Sequence, residues 1–106
     1  MSEIRFTVSQ ESAPRELVRL REAIDRIDEV LVRLLNQRVR YAVEAGRVKG
    51  VVSLPVYVPE REKQVLANVE GWSDGPLEAE AVRRLFERII DESRRIERLA
   101  AERESR

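Results

Sequence analysis

Residues 17–48 read LVRLREAIDRIDEVLVRLLNQRVRYAVEAGRV, and one apolar stripe runs through them in three-four spacing. Its members are Leu17, Leu20, Ile24, Ile27, Leu31, Leu34, Arg38, Tyr41, Ala45 and Val48. Such spacing keeps every one of these side chains on a single helical face. One member is out of place: Arg38 fills a slot that the pattern reserves for an apolar residue. A guanidinium cannot shed its charge, and burying it unpaired costs several kcal/mol. An anion must therefore meet it, either a carboxylate of the protein or a ligand.

Ser12 is placed to cap this helix and Pro14 lies in the tolerated first turn. Gly50 and the β-branched Val51 and Val52 should end it after Lys49. Roughly 35 helical residues span about 50 Å. A compact globule of 106 residues has a radius of gyration of only about 13 Å. The rest of the chain cannot wrap so long a seam, so a second copy is expected to cover it. Residues 1–14 are expected to be a flexible arm, in which Ile4, Phe6 and Val8 alternate briefly without a partner strand. Residues 15–106 then form one helical domain.

Pro55 makes Ser53 to Val58 an extended connector. Pro59 opens a second helix, with Glu60 and Glu62 favourable at its positive end. Its seam is Val58, Glu62, Val65, Val69 and Trp72. Gly71 to Pro76 is rich in breakers, and a third helix should run from near Pro76 to about Arg103. That seam reads Val82, Phe86, Ile89, Ser93, Ile96, Ala100, with Glu97 on its edge. The expected fold is all-α: three helices per chain, one very long, intertwined into a homodimer.

Twenty basic and twenty acidic side chains cancel, so no net field favours nucleic acid or an anionic membrane. Neither is an expected partner. The chain has no Cys and no His, which removes thiol nucleophiles, imidazole bases, disulfides and the commonest transition-metal ligands. No apolar run approaches a membrane span and no secretory signal is evident, so a cytoplasmic location is expected.

Each polar residue in a seam has a plain structural reading when taken singly. Arg38 and Glu62 can form a buried ion pair. Lys49 suits the negative end of its helix, in solvent. Ser93 can bond back to its own backbone, and Glu97 beside Arg94 can be a surface pair. Together they say more. Arg38, Lys49, Arg61 and Arg21 outnumber what Glu62 can neutralise, and a pocket rich in cations, without base or nucleophile, suits a small polycarboxylate. Arg21 lies roughly 25 Å from Arg38 along the helix, too far to hold the same small ligand from one chain. In an antiparallel dimer it can reach the other chain's pocket.

These residues resemble a known family, the all-helical (AroQ-type) chorismate mutases. The resemblance is carried by Leu20-Arg21-Glu22-Ala23-Ile24-Asp25-Arg26-Ile27-Asp28, Leu34-Leu35-Asn36-Gln37-Arg38 and Ala45-Gly46-Arg47-Val48-Lys49. Pro55-Val56-Tyr57, Arg61-Glu62, and Ile89-Ile90-Asp91-Glu92-Ser93 with Glu97 complete it. It implies an intertwined helical dimer that rearranges chorismate to prephenate without cofactor. By the same resemblance, Arg38 and the partner's Arg21 hold the two substrate carboxylates and Lys49 faces the ether oxygen. Glu62 accepts from the ring hydroxyl with Arg61 beside it, Ser93 sits near a carboxylate, and Glu97 faces the ether oxygen from the opposite side.

Two positions depart from many relatives. Glu97 stands where bacterial members often have glutamine, and a carboxylate there would repel the developing oxyanion unless protonated. Val58 stands where some relatives carry an acidic residue, which is tolerable if that position acts through its backbone amide. Two alternatives stay open on residues alone: an isochorismate pyruvate-lyase on the same fold, and a non-catalytic helical dimerisation module. The absence of a second domain's worth of sequence leads to the expectation of a stand-alone mutase.

Overall fold

The structure is a computed structural model that describes residues 9–55 and 57–104. Three helices account for most of them: α1 (Ala13–Val51), α2 (Pro59–Trp72) and α3 (Ala79–Glu104). No strand occurs among the described residues. Ile4, Phe6 and Val8, and with them most of the expected arm, lie outside the described residues. The chain divides into two compact units, residues 1–36 and 37–106.

The cap of α1 is shared by two serines rather than supplied by Ser12 alone. Ser12 Oγ accepts from the Ser9 amide at 3.1 Å and Ser9 Oγ accepts from the Ser12 amide at 3.2 Å. This reciprocal pairing satisfies two donors that the first turn would otherwise leave open. Ala13 and Pro14 are already helical. In the N-terminal unit the apolar stripe is bare: Ile27 is 60% and Leu34 55% exposed. No residue of α1 is buried.

The far end of α1 also differs from expectation. Gly50 does not stop the helix; Ser53 does, with φ of 58° in the left-handed region. The Leu54 amide donates to the Lys49 carbonyl at 2.8 Å and the Ser53 amide to the Gly50 carbonyl at 3.3 Å. Those two bonds make a Schellman closure, in which the left-handed residue sits just past the helix. Gly50 lies inside the last turn, where its carbonyl serves that closure.

In the C-terminal unit, α2 packs on α3. The ion pairs Glu70–Arg83 and Glu62–Arg94 step in opposite sequence directions, so the two helices are antiparallel. Leu66 and Val69 of α2 and Val82 and Ile90 of α3 form the buried core. Trp72, expected in the α2 seam, is 75% exposed, and Leu66 takes the inward role instead. α3 begins at Ala79 rather than near Pro76. The Leu77 carbonyl accepts from Ser73 Oγ at 2.7 Å, and the helical ladder starts with the Val82 amide on the Glu78 carbonyl at 3.1 Å. Past Ser93 the inward stripe runs through Glu97, while Ile96 is 37% exposed.

Candidate active site

The C-terminal unit holds a cavity of about 340 Å3 between the last four turns of α1, the start of α2 and the middle of α3. Arg38, Ala42, Ala45 and Lys49 face it from α1 at three- and four-residue steps, as one helical stripe must. Val58, Arg61, Glu62 and Val65 line it from the connector and the first turns of α2. Ile90, Ser93, Arg94 and Glu97 close it from α3. Seven of the sequence-predicted residues thus converge: Arg38, Lys49, Val58, Arg61, Glu62, Ser93 and Glu97. Arg21 is exposed in the N-terminal unit and does not line this cavity.

The pairings differ from the plain structural readings. Arg38 Nη1 donates to Ser93 Oγ at 3.1 Å, so Arg38 does not use Glu62 as its partner. Ser93 is only 3% exposed and spends its hydroxyl across helices on Arg38 rather than on its own backbone. Glu62 instead forms an ion pair with Arg94 of α3. Arg94 is therefore not simply the surface partner of Glu97. Its guanidinium carbon lies 4.6 Å from the centre of the Tyr57 ring, a cation–π distance. Arg61 Nη1 donates to Gln64 Oε1 at 2.6 Å, one turn along α2. Lys49 is half-buried on the cavity wall, not a fully solvated end-of-helix cation.

The electrostatics suit an anion. Four cations, Arg38, Lys49, Arg61 and Arg94, face two carboxylates, Glu62 and Glu97. Burial and then the neighbouring Arg61 press the Arg38 guanidinium below its ordinary value, with Glu97 pulling the other way. It stays cationic in any accessible pH range. A guanidinium bonded to a neutral hydroxyl retains the donors needed for a carboxylate. Burial pushes the Glu97 carboxyl above its ordinary value, and Glu62 adds to that, while Lys49, Arg94 and Arg38 oppose it. The protonated acid thus persists to higher pH than in a solvated glutamate.

Val58 begins α2 in an extended conformation (φ −125°, ψ 94°) without a side-chain cap bond. Its carbonyl accepts from the Arg61 amide at 3.1 Å and the Glu62 amide at 3.3 Å. That start aims Arg61 and Glu62 of the first turn at the cavity. Tyr57 and Arg94 are lining residues that the sequence reading did not assign. For Arg94 a signal was present: it lies three residues before Glu97, on the same face of α3.

Against known proteins, the profile of the family described as chorismate mutase type II matches residues 20–98. Over 82 residues the chain is 43% identical to a bifunctional chorismate mutase/prephenate dehydratase of Neisseria gonorrhoeae, covering 77% of this chain and 22% of that protein. The corresponding bifunctional protein of Aquifex aeolicus is 46% identical over 54 residues, 51% of this chain and 15% of its own length. The chain thus spans about a fifth, or less, of these relatives' length. A solved structure of chorismate mutase from Thermus thermophilus aligns with a TM-score of 0.76 at 35% identity, covering 78% of this chain and 94% of that one. No helix among the described residues is long and apolar enough to cross a membrane.

Proposed function

The chain belongs to the type II chorismate mutase family, and from that premise we propose that its cavity rearranges chorismate to prephenate, on the route to phenylalanine and tyrosine. The reaction is a Claisen rearrangement: one ether C–O bond breaks, one C–C bond forms, and no atom leaves. A unimolecular reaction of this kind needs a site that holds the compact conformer and stabilises charge growing on the ether oxygen. The observation that carries the reading is the convergence of Arg38, Lys49, Glu62, Ser93 and Glu97 on one cavity with surplus positive charge.

In this scheme Arg38, steadied by Ser93, holds one substrate carboxylate, and the partner's Arg21 holds the other. Lys49 donates to the ether oxygen, and Glu97 in its acid form donates from the opposite side. Glu62 accepts from the ring hydroxyl, Arg61 flanks it, and Val58 contributes through its backbone. The bare stripe of α1 supports the homodimer that this arrangement needs, since Leu17, Ile24, Ile27, Leu31 and Leu34 all lie exposed in the single chain. A cytoplasmic location goes with the same reading, because a dianionic intermediate does not cross a bilayer unaided.

Neither alternative gains support. The family and the relatives are named for the mutase, not for an isochorismate pyruvate-lyase, and a dimerisation module does not call for a charged cavity. The test is chorismate consumption by the purified protein, with prephenate and pyruvate assayed together. Prephenate without pyruvate is the expected result; release of pyruvate would overturn the assignment.

A further inference from the structure

Arg94 is the one charged residue of the cavity wall that the scheme above leaves without a task. It belongs to α3, yet its guanidinium reaches two other elements: the carboxylate of Glu62 on α2 and the ring of Tyr57 in the connector. It therefore ties α3 to α2 and to the connector beside the cavity. The Glu62 side chain is 20% exposed against 45% for Arg94, so the pair has its carboxylate turned inward and its guanidinium toward solvent. A carboxylate has about four lone-pair sites. Glu62 can hold Arg94 and still accept from a ligand.

We propose that Arg94 is a positioning residue, which aims the Glu62 carboxylate at the substrate's ring hydroxyl while Tyr57 fixes the guanidinium from behind. This rests on the chorismate mutase reading. A carboxylate on a flexible side chain at a helix start has several rotamers, and the ion pair with a stacked guanidinium selects one of them. Arg61, the other arginine beside Glu62, is engaged with Gln64 and so is not placed to do this. The planar guanidinium can pair and stack at once, which an ammonium cannot.

The test is kcat/KM for chorismate in Arg94→Met and Arg94→Lys, each made with Glu62 intact and with Glu62→Gln, alongside melting temperatures. With Glu62 intact, Arg94→Met should lose roughly three- to tenfold, the range expected for a partly exposed, charge-assisted contact. With Glu62→Gln the same change should cost less than about twofold, because the contact loses its charge assistance and selects the side-chain rotamer only weakly. Arg94→Lys should recover part of the loss, and it decides the matter in both backgrounds if the Met variant does not fold. Equal losses in the two backgrounds would mean that Arg94 meets the substrate itself, and would overturn the proposal. A lowered melting temperature with unchanged kcat/KM would make the residue structural and also overturn it. If the unaltered protein does not convert chorismate at all, it is the functional reading that has failed.

Discussion

The two halves of α1 carry the same heptad and use it differently. From Leu17 to Leu34 the stripe is wholly aliphatic, and it lies exposed in the single chain. From Arg38 to Lys49 the helix instead turns two cations, Arg38 and Lys49, with Tyr41, Ala42 and Ala45 between them, toward a cavity. One helix thus presents an apolar seam suited to another protein surface and, further on, a charged seam suited to a small anion. The contrast teaches that periodicity identifies a face, whereas the chemistry of its members identifies what the face is for.

The contrast breaks most sharply at Arg38. Arg38→Leu completes the aliphatic pattern, so a mere scaffold would be unharmed or stabilised by it. In the proposed enzyme it deletes the main carboxylate donor, and kcat/KM should fall on the order of a thousandfold, the cost of breaking a partly buried charge-assisted contact. The melting temperature should hold or rise. Loss of activity together with loss of fold would remove the distinction between the two halves.

The complementary change is Ile27→Asp, which places a charge in the aliphatic half. If a second copy covers that seam, the substitution puts an unpaired carboxylate at a buried surface twice per dimer, at several kcal/mol each. Sedimentation velocity should then show monomer where the unaltered protein shows dimer. Activity should fall with it, since Arg21 can no longer reach its partner's cavity. A species distribution unchanged by Ile27→Asp would mean that the seam is not the interface.

How much of this was legible without coordinates depended on what each feature rests on. The three helices were legible because heptads, Pro59 and the breaker-rich turn act locally. Arg38, Glu62 and Ser93 were legible because each interrupts an apolar period, and Lys49, Arg61 and Glu97 because they lie beside those seams. Arg94 was legible only by its place three residues before Glu97; its role comes from Glu62 and Tyr57 on other segments. The choice between Ile96 and Glu97 as the inward residue was also hidden. Adjacent positions differ by about 100°, and the direction of approach of the neighbouring helix decides between them. Helix ends were hidden for a similar reason. The stop falls where orphan carbonyls find donors, and that placed it at Ser53 rather than Gly50.

Glu97 offers a milder test of the charged half. Its carboxyl is raised above the ordinary value, chiefly by burial. In the proposed mechanism the neutral acid donates toward the ether oxygen at low pH. As pH rises through the raised value the group ionises, the donor is lost, and a negative charge faces the developing oxyanion. Turnover should therefore decline from pH 5 to pH 8, by roughly tenfold per unit at most once ionisation dominates. Glu97→Gln keeps a neutral donor at every pH and should flatten the profile. An unchanged slope in that variant would assign the titration elsewhere.

The smallest expected effect comes at the junction where the charged half ends. Ser53 holds a left-handed conformation at φ 58°, which costs a residue with a Cβ about 1 kcal/mol relative to glycine. The closure it makes fixes the start of the connector that carries Tyr57 and Val58 to the cavity. Ser53→Gly should leave kcat near its original value and raise stability by about 0.5–1 kcal/mol, less the added freedom of the unfolded chain. Thermal melting checks it. A lower melting temperature would mean that the serine hydroxyl contributes more than the backbone strain costs, and that the halt of α1 depends on the side chain as well as on the Schellman bonds.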